Sequence, residues 1–264
     1  GGVSRRGFII GATSAGATLA FVPSALLASK PAAAIEAKLF EPTVWYAIDP
    51  DGQIYVNITK AEMGQHVGTA LARIVADELE ADWSQVNLKH VDTDPRFGDF
   101  VTGGSWSVST SFDLLSRAGA AGRVALIEAG AKMLGVPEGN CRAKASKVIC
   151  GSRSVSYAEI VNSGMLERSF TPEDLAKLPL KKPEERSLIG QDTQALDIPA
   201  KTSGTAVYGI DASYEGMVYA KPIMPPTRYG SSVKAVDDSG AKGVKGYVQT
   251  LVLDDPTNTV PGWA

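Results

Sequence analysis

The sequence predicts an α+β fold in two parts, on three observations. Strand-like residues flank a turn between positions 44 and 58, a helical period of apolar residues runs over 67–79, and several further strand-like segments follow a proline-broken stretch centred near 180. Strands and helices do not alternate regularly, as they would in a parallel α/β sheet. At 44% apolar and 21% charged residues the composition is globular, so a real core is expected. A net charge of −3 with no basic stripe after position 36 excludes nucleic acid as a partner.

The amino terminus comes first in order. Ser4-Arg5-Arg6-Gly7-Phe8-Ile9-Ile10, followed by an uncharged stretch to Ala28, has the form of a twin-arginine export signal. Gly11, Thr13, Ser14, Gly16, Thr18 and Pro23 dilute its apolar residues, which suits a signal better than a permanent span. Residues 1–36 are therefore set apart from the fold. The export route carries folded cargo, commonly with a cofactor already inserted, so a buried redox cofactor is expected.

Val44–Ile48 and Gln53–Ile58 are rich in β-branched and aromatic residues and flank Asp49-Pro50-Asp51-Gly52, which predicts a hairpin. Val67, Leu71, Ile74, Val75 and Leu79 recur at helical spacing, with Arg73, Asp77, Glu78 and Glu80 opposite, which predicts an amphipathic helix. A strand at 86–91 and a polar loop at 94–111 come next. Residues 112–134 read as a helix capped by Ser109, Thr110 or Ser111, with so many small side chains that another backbone must approach it closely. Segments 143–149 and 154–157 read as a second hairpin. Residues 165–193, broken by Pro172, Pro179 and Pro183, read as a linker; strands are then expected at 206–210, 217–223, 232–236 and 247–253, with a short helix at 239–245. Opening on Gly1 and closing just after an incoming strand, the chain reads as part of a longer polypeptide.

Two segments could carry chemistry. Glu62-Met63-Gly64-Gln65-His66-Val67-Gly68-Thr69 joins a strand to a helix, where glycine lets a ligand approach the backbone and the helix terminus offers N–H groups to an anion. Its plain alternative is a tight turn. Thr102-Gly103-Gly104-Ser105-Trp106, ahead of the second helix, has the same character, with a capping segment as its alternative. Glu62 is expected to be a solvated or capping carboxylate, Lys60 and Arg73 to lie on a solvated face, and His90, Trp45, Trp83 and Trp106 to pack or lie on the surface. Cys141 and Cys150 read as two free, partly buried thiols or as a pair across a hairpin in an oxidising compartment. With only two cysteines and two histidines, no protein-ligated metal is expected and no catalytic residue is assigned.

Residues 62–79 followed by Thr102-Gly103-Gly104-Ser105 resemble the molybdopterin-binding region of the xanthine dehydrogenase and aldehyde oxidase superfamily. Asp197-Ile198-Pro199-Ala200-Lys201-Thr202-Ser203-Gly204-Thr205-Ala206-Val207-Tyr208-Gly209-Ile210-Asp211, with Gly216-Met217-Val218-Tyr219-Ala220, resembles the opening of its hammerhead domain. That order is similar to the isoquinoline 1-oxidoreductase β-subunit group, which includes exported aldehyde dehydrogenase large subunits. The resemblance implies a partial molybdopterin-binding subdomain at 37–164, the linker at 165–193 and an incomplete hammerhead-like α+β domain at 194–264. It makes Gly64, Gln65, Thr69, Gly103, Gly104 and Ser105 the cofactor contacts; His66 stands where relatives carry a second small glycine. It further implies a molybdenum–molybdopterin cofactor in its cytosine dinucleotide form, and oxidation of an aldehyde or N-heterocycle with oxygen from water. The partners implied are an iron–sulfur small subunit and a cytochrome c subunit, with a periplasmic location that includes attachment to the inner membrane. The family's catalytic glutamate belongs to a later segment, so this portion is expected to be inactive alone. The alternative function is a non-catalytic exported scaffold or assembly protein that keeps the framework.

Overall fold

A computed structural model of the protein describes residues 12–13, 16–17, 40–166, 168–227 and 231–253. The export signal expected at 1–36 lies outside these residues, apart from the strand pair β1 (Ala12–Thr13) and β2 (Gly16–Ala17). Among the described residues no helix is long and apolar enough to cross a membrane. The chain divides into two compact units, Gly1–Ala206 and Val207–Ala264.

In the first unit, β3 (Phe40–Thr43), β4 (Tyr46–Ile48), β5 (Ile54–Ile58) and β6 (Val86–His90) form one sheet in that order. The expected hairpin is β4–β5, and Asp49 Oδ1 closes its turn by accepting the N–H groups of Asp51 and Gln53, each at 2.9 Å. β5 and β6 run parallel, Ile54 opposite Val86 and Ile58 opposite His90. Parallel neighbours need a crossover, and α1 (Val67–Leu79) supplies it with the predicted bounds.

The second long helix, α2 (Ser107–Leu134), starts earlier than the expected residue 112. The Ser109 and Thr110 hydroxyls donate back to the Trp106 carbonyl at 3.1 and 2.8 Å from within the first turn, so they do not cap it. Serine and threonine are weak helix formers that read as loop in isolation, which hid the true start. The small residues do bring α1 close. A Cβ on Gly119 would sit 2.5 Å from the Val75 carbonyl oxygen, and one on Gly122 would sit 1.8 Å from the Tyr46 hydroxyl. Tyr46, fully buried, donates to the Ala118 carbonyl at 3.3 Å.

The second sheet is three-stranded: β7 (Cys141–Lys144), β8 (Lys147–Cys150) and β9 (Arg153–Ser156). The segment expected as one strand over 143–149 is split by a turn at Ala145 and Ser146, both with positive φ (48° and 55°). The turn holds because Ser146 N–H donates to the Glu80 carbonyl, and the Asp82 N–H donates to Ser146 Oγ at 2.8 Å, tertiary contacts invisible to local propensity. Cys141 lies opposite Cys150 and the two form a disulfide, so the free-thiol alternative is set aside. A Ser156–Glu159 capping box then starts α3 (Tyr157–Ser163), and the buried Tyr157 hydroxyl donates to the Leu79 carbonyl at 2.6 Å.

The polar stretch 165–193, expected as a linker, is instead bound to the two long helices. It contains α4 (Pro172–Ala176) and buries Phe170, Leu175 and Leu178. Asp77 grips it: Oδ1 accepts from Lys181 Nζ at 2.8 Å and Ser187 N–H at 3.1 Å, while Oδ2 accepts from Leu188 N–H at 3.2 Å and Ile189 N–H at 2.8 Å. Glu78 accepts the Lys181 N–H at 3.0 Å. Arg117 donates to the Leu175 and Ala176 carbonyls, Arg123 to that of Pro179, and Arg73 to those of Leu188 and Gln191. Arg73 thus ties down a strap and does not lie on a solvated face. The polar, proline-rich composition that signals a linker here serves a segment without ladder partners, whose backbone groups are satisfied by buried charges.

In the second unit the described residues hold α6 (Ser239–Lys242), near its expected place, and a three-residue helical turn at Gly209–Asp211. The strands expected at 206–210, 217–223, 232–236 and 247–253 are not formed there, and Ile210, Val218, Tyr219, Ile223, Val248 and Leu251 are exposed. A strand persists only when its ladder groups are paired, and the described residues offer these segments no neighbouring strand. Chain-wide, the architecture is mixed helix and sheet with small sheets, which is α+β as expected.

Two outcomes follow from this packing. Gly119→Ala gains about 1 kcal/mol of helix propensity but forces about 1–3 kcal/mol of overpacking against the Val75 carbonyl; the expected net result in urea unfolding is a lowered midpoint. Burial pushes the Asp77 carboxyl up, but the Lys181 ammonium and the Ile189 and Ser187 amides outweigh it and hold it below its ordinary value. Its contribution is therefore complete above about pH 4 and is lost as pH falls through the depressed folded value. Denaturation midpoints measured from about pH 7 to about pH 3 should fall at the acid end, and Asp77→Asn should flatten that fall.

Candidate functional site

Both glycine segments sit at the amino ends of the two long helices, which the Gly119 contact holds side by side. His66, with φ 57°, is the cap residue of α1, and Gly64 before it has φ 101°, a value that side chains rarely tolerate. Gly104 and Ser105, at φ 61° and 60°, precede Trp106 at the start of α2.

The two turns are stapled together. The Ala61 N–H donates to Thr102 Oγ1 at 2.8 Å, and Lys60 Nζ donates to the Asp99 and Val101 carbonyls at 3.3 and 3.0 Å. Lys60 is 8% exposed, so it is a buried staple and not the solvated residue the sequence suggested. Gly103 and Gly64 have nothing within 4 Å of where a Cβ would stand, whereas Gly104 lies under the Trp106 ring. Trp106, Met63 and Val101 are largely exposed.

The turns differ in what they leave available. In the first, Glu62 Oε1 accepts the N–H groups of Gly64 and His66 at 2.8 and 3.2 Å, Gln65 Oε1 accepts that of Met63 at 2.7 Å, and Gln65 Nε2 donates to the Ala61 carbonyl at 2.9 Å. Thr69 is buried, and its hydroxyl accepts the Leu196 N–H at 2.9 Å. In the second, the N–H groups of Gly103, Gly104 and Ser105 have no hydrogen-bond partner among the described residues. This exposed donor set suits an anionic group, while the first turn contributes a side-chain-free surface at Gly64.

A group that sequence reading missed stands beside the first turn. α5 (Ile198–Ser203) brings Lys201 Nζ to 2.9 Å from Glu62 Oε1 and into an ion pair with Asp197 Oδ2. Asp197 Oδ1 lies 2.9 Å from His66 Nδ1. Burial pushes the Glu62 and Asp197 carboxyls up, but Lys201, with the turn's amides for Glu62 and with His66 for Asp197, holds both below the ordinary carboxylate range. The same carboxylates, Asp197 first, raise Lys201 well above its usual value. Glu62, His66 and Asp197 offer ligand atoms within 4.8 Å of one another, but the lysine ammonium already supplies the cation their carboxylates need. The Asp197-to-Lys201 spacing over one helical turn was the available signal; its distance in sequence from Glu62 concealed the rest.

The family model described as a molybdopterin cofactor-binding domain matches residues 4–202, which include both turns, α1 through α4 and all of α5 but its last residue. The chain belongs to that family. It is 53% identical over 268 residues to the membrane-bound aldehyde dehydrogenase [pyrroloquinoline-quinone] of Gluconacetobacter polyoxogenes, covering 99% of this chain and 34% of that protein. It is 30% identical over 293 residues to isoquinoline 1-oxidoreductase subunit beta of Brevundimonas diminuta, covering 95% of this chain and 37% of that one. The chain thus spans about a third of the length of these curated relatives. A crystal structure of quinoline 2-oxidoreductase from Pseudomonas putida 86 superposes over 45% of this chain and 15% of its own at 21% identity, with a TM-score of 0.34, too low to support any residue-level comparison.

Lys60 joins the turns most directly. Lys60→Met leaves the Asp99 and Val101 carbonyls without their buried donor, a loss of about 1–3 kcal/mol. Limited proteolysis should then cut faster within residues 98–104, with α1 and α2 still protected.

Proposed function

We propose that this molybdopterin cofactor-binding chain is part of the large subunit of a molybdenum hydroxylase that oxidises an aldehyde or N-heterocycle with oxygen drawn from water. The observation that carries the reading is the pair of stapled glycine turns at two helix amino ends, one of them with three exposed N–H groups unspent. Gly103, Gly104 and Ser105 would hold the anionic part of the cofactor through main-chain donors. Gly64 would allow close approach, while Gln65 and Thr69 would fix the shape of the first turn and its junction with α1. When bound, the cofactor supplies the two-electron redox chemistry; this chain's residues bind and orient it.

Further parts of the proposal rest on the names of relatives and on the residues at the chain's amino end. The cytosine dinucleotide form of the cofactor, an iron–sulfur partner and a cytochrome c subunit are inferred from the family resemblance, and the relative named as a subunit beta supports a multi-subunit assembly. Export by the twin-arginine route to the periplasm is inferred from Arg5-Arg6, with support from the Cys141–Cys150 disulfide, which suits an oxidising compartment. Membrane attachment is supported by the relative named as membrane-bound. Residues 194–264 are proposed as an incomplete hammerhead-like domain following the cofactor-binding subdomain at 37–164.

One relative's name carries pyrroloquinoline quinone, so the experiment must separate the two cofactors. The purified complete enzyme is expected to contain molybdenum by elemental analysis and to release a pterin nucleotide on extraction. Gly103→Val should lower the molybdenum content about tenfold while the far-ultraviolet circular dichroism is retained. Active enzyme that contains quinone and no molybdenum would overturn the proposal.

A further inference from the structure

The first turn is shaped by groups that lie far from it in the sequence. Glu62 Oε1 receives the Gly64 and His66 N–H groups and the Lys201 ammonium at once. The Glu62 and Asp197 side chains are only 10% and 12% exposed, against 42% for His66, so the ion pairs lie mostly beneath the turn. The segment that delivers Asp197 and Lys201 is anchored on its other side by Leu196 N–H to Thr69 Oγ1, and farther back by the Asp77 grip on residues 187–189.

We propose that Asp197 and Lys201 are positioning residues for the cofactor-binding turn: together with Glu62 and His66 they form an ionic latch that fixes residues 61–66, so that the first turn gives shape and the second gives donors. The role assigned to them rests on the reading that the paired turns take an anionic cofactor. Without Lys201, two carboxylates close to each other lose their counter-charge. Glu62 then has less reason to stay over the Gly64 and His66 amides, and Asp197 less reason to stay by the His66 ring. With the latch closed, the Gly64 and His66 N–H groups are already spent, so an anion is received by residues 103–105 and only packs against Gly64.

Hydrogen exchange with mass spectrometry on the complete enzyme reads the latch directly, and cofactor extraction from the same samples reads the turn's function. Lys201→Met is expected to speed exchange in peptides covering 62–66 at least tenfold, with α1 from Ile74 onward and α2 from Leu115 onward unchanged, and to lower pterin content. Lys201→Arg, which keeps the charge, should restore both. Asp197→Asn should loosen the same peptide, and a double variant with Lys201→Met should exchange no faster than the more affected single variant, since both open one latch. Unchanged exchange at 62–66 in Lys201→Met overturns the latch, as does loosening spread evenly through both helices or failure of Lys201→Arg to rescue. Wild-type enzyme that releases no pterin overturns the cofactor reading instead, and the exchange data still decide whether the ion pairs hold the turn.

Discussion

The close approach of α1 and α2 is the constraint from which the site follows. Gly119 sits where any side chain would meet the Val75 carbonyl, and Gly122 where one would meet the Tyr46 hydroxyl, so the two helices are held at backbone contact distance with the tyrosine wedged beside them. Two parallel consequences follow at their amino ends. The segments that lead into the helices are brought side by side, and each helix arrives with unsatisfied N–H groups in its first turn. Glycine on α2 costs helix propensity, and the position of the helix ends is what the cost secures.

Charge does the work of apolar packing in the strap that crosses these helices. A segment with three prolines and little secondary structure carries many backbone groups that need partners. Asp77, Glu78, Arg73, Arg117 and Arg123 supply them from α1 and α2. Burying Asp77 costs solvation, which three backbone amides and one ammonium offset; the Glu78 carboxyl, where burial is the larger influence, is held above its ordinary value despite the nearby Arg123. The result is directional. The strap is held at defined points, and it ends by presenting Asp197 and Lys201 to the turn that begins α1.

Much of the framework was legible locally. The Asp49–Gly52 turn, the period of α1 and the two glycine segments are each written in a handful of adjacent residues. The small side chains of α2 announced a close neighbour without saying which. What escaped were features whose cause lies elsewhere in the chain: the Ala145–Ser146 turn that depends on Glu80 and Asp82, the α2 start masked by Ser107–Ser111, and the strap that composition alone presents as a linker. The segments after residue 206 show the converse, strand-like sequences for which the described residues supply no partner strand.

The sequence by itself determined which residues could be strand, helix or cradle, because backbone propensity, glycine's access to positive φ and hydrophobic period are properties of neighbours along the chain. It also determined the family, since the glycine segments and their order are readable without coordinates. Only the tertiary structure decided which cradle keeps its donors. Glu62 spends the Gly64 and His66 donors of the first turn, and it is paired with Lys201, 139 residues away. No local pattern encodes an ion pair between side chains so distant, because its existence depends on where the strap is bound.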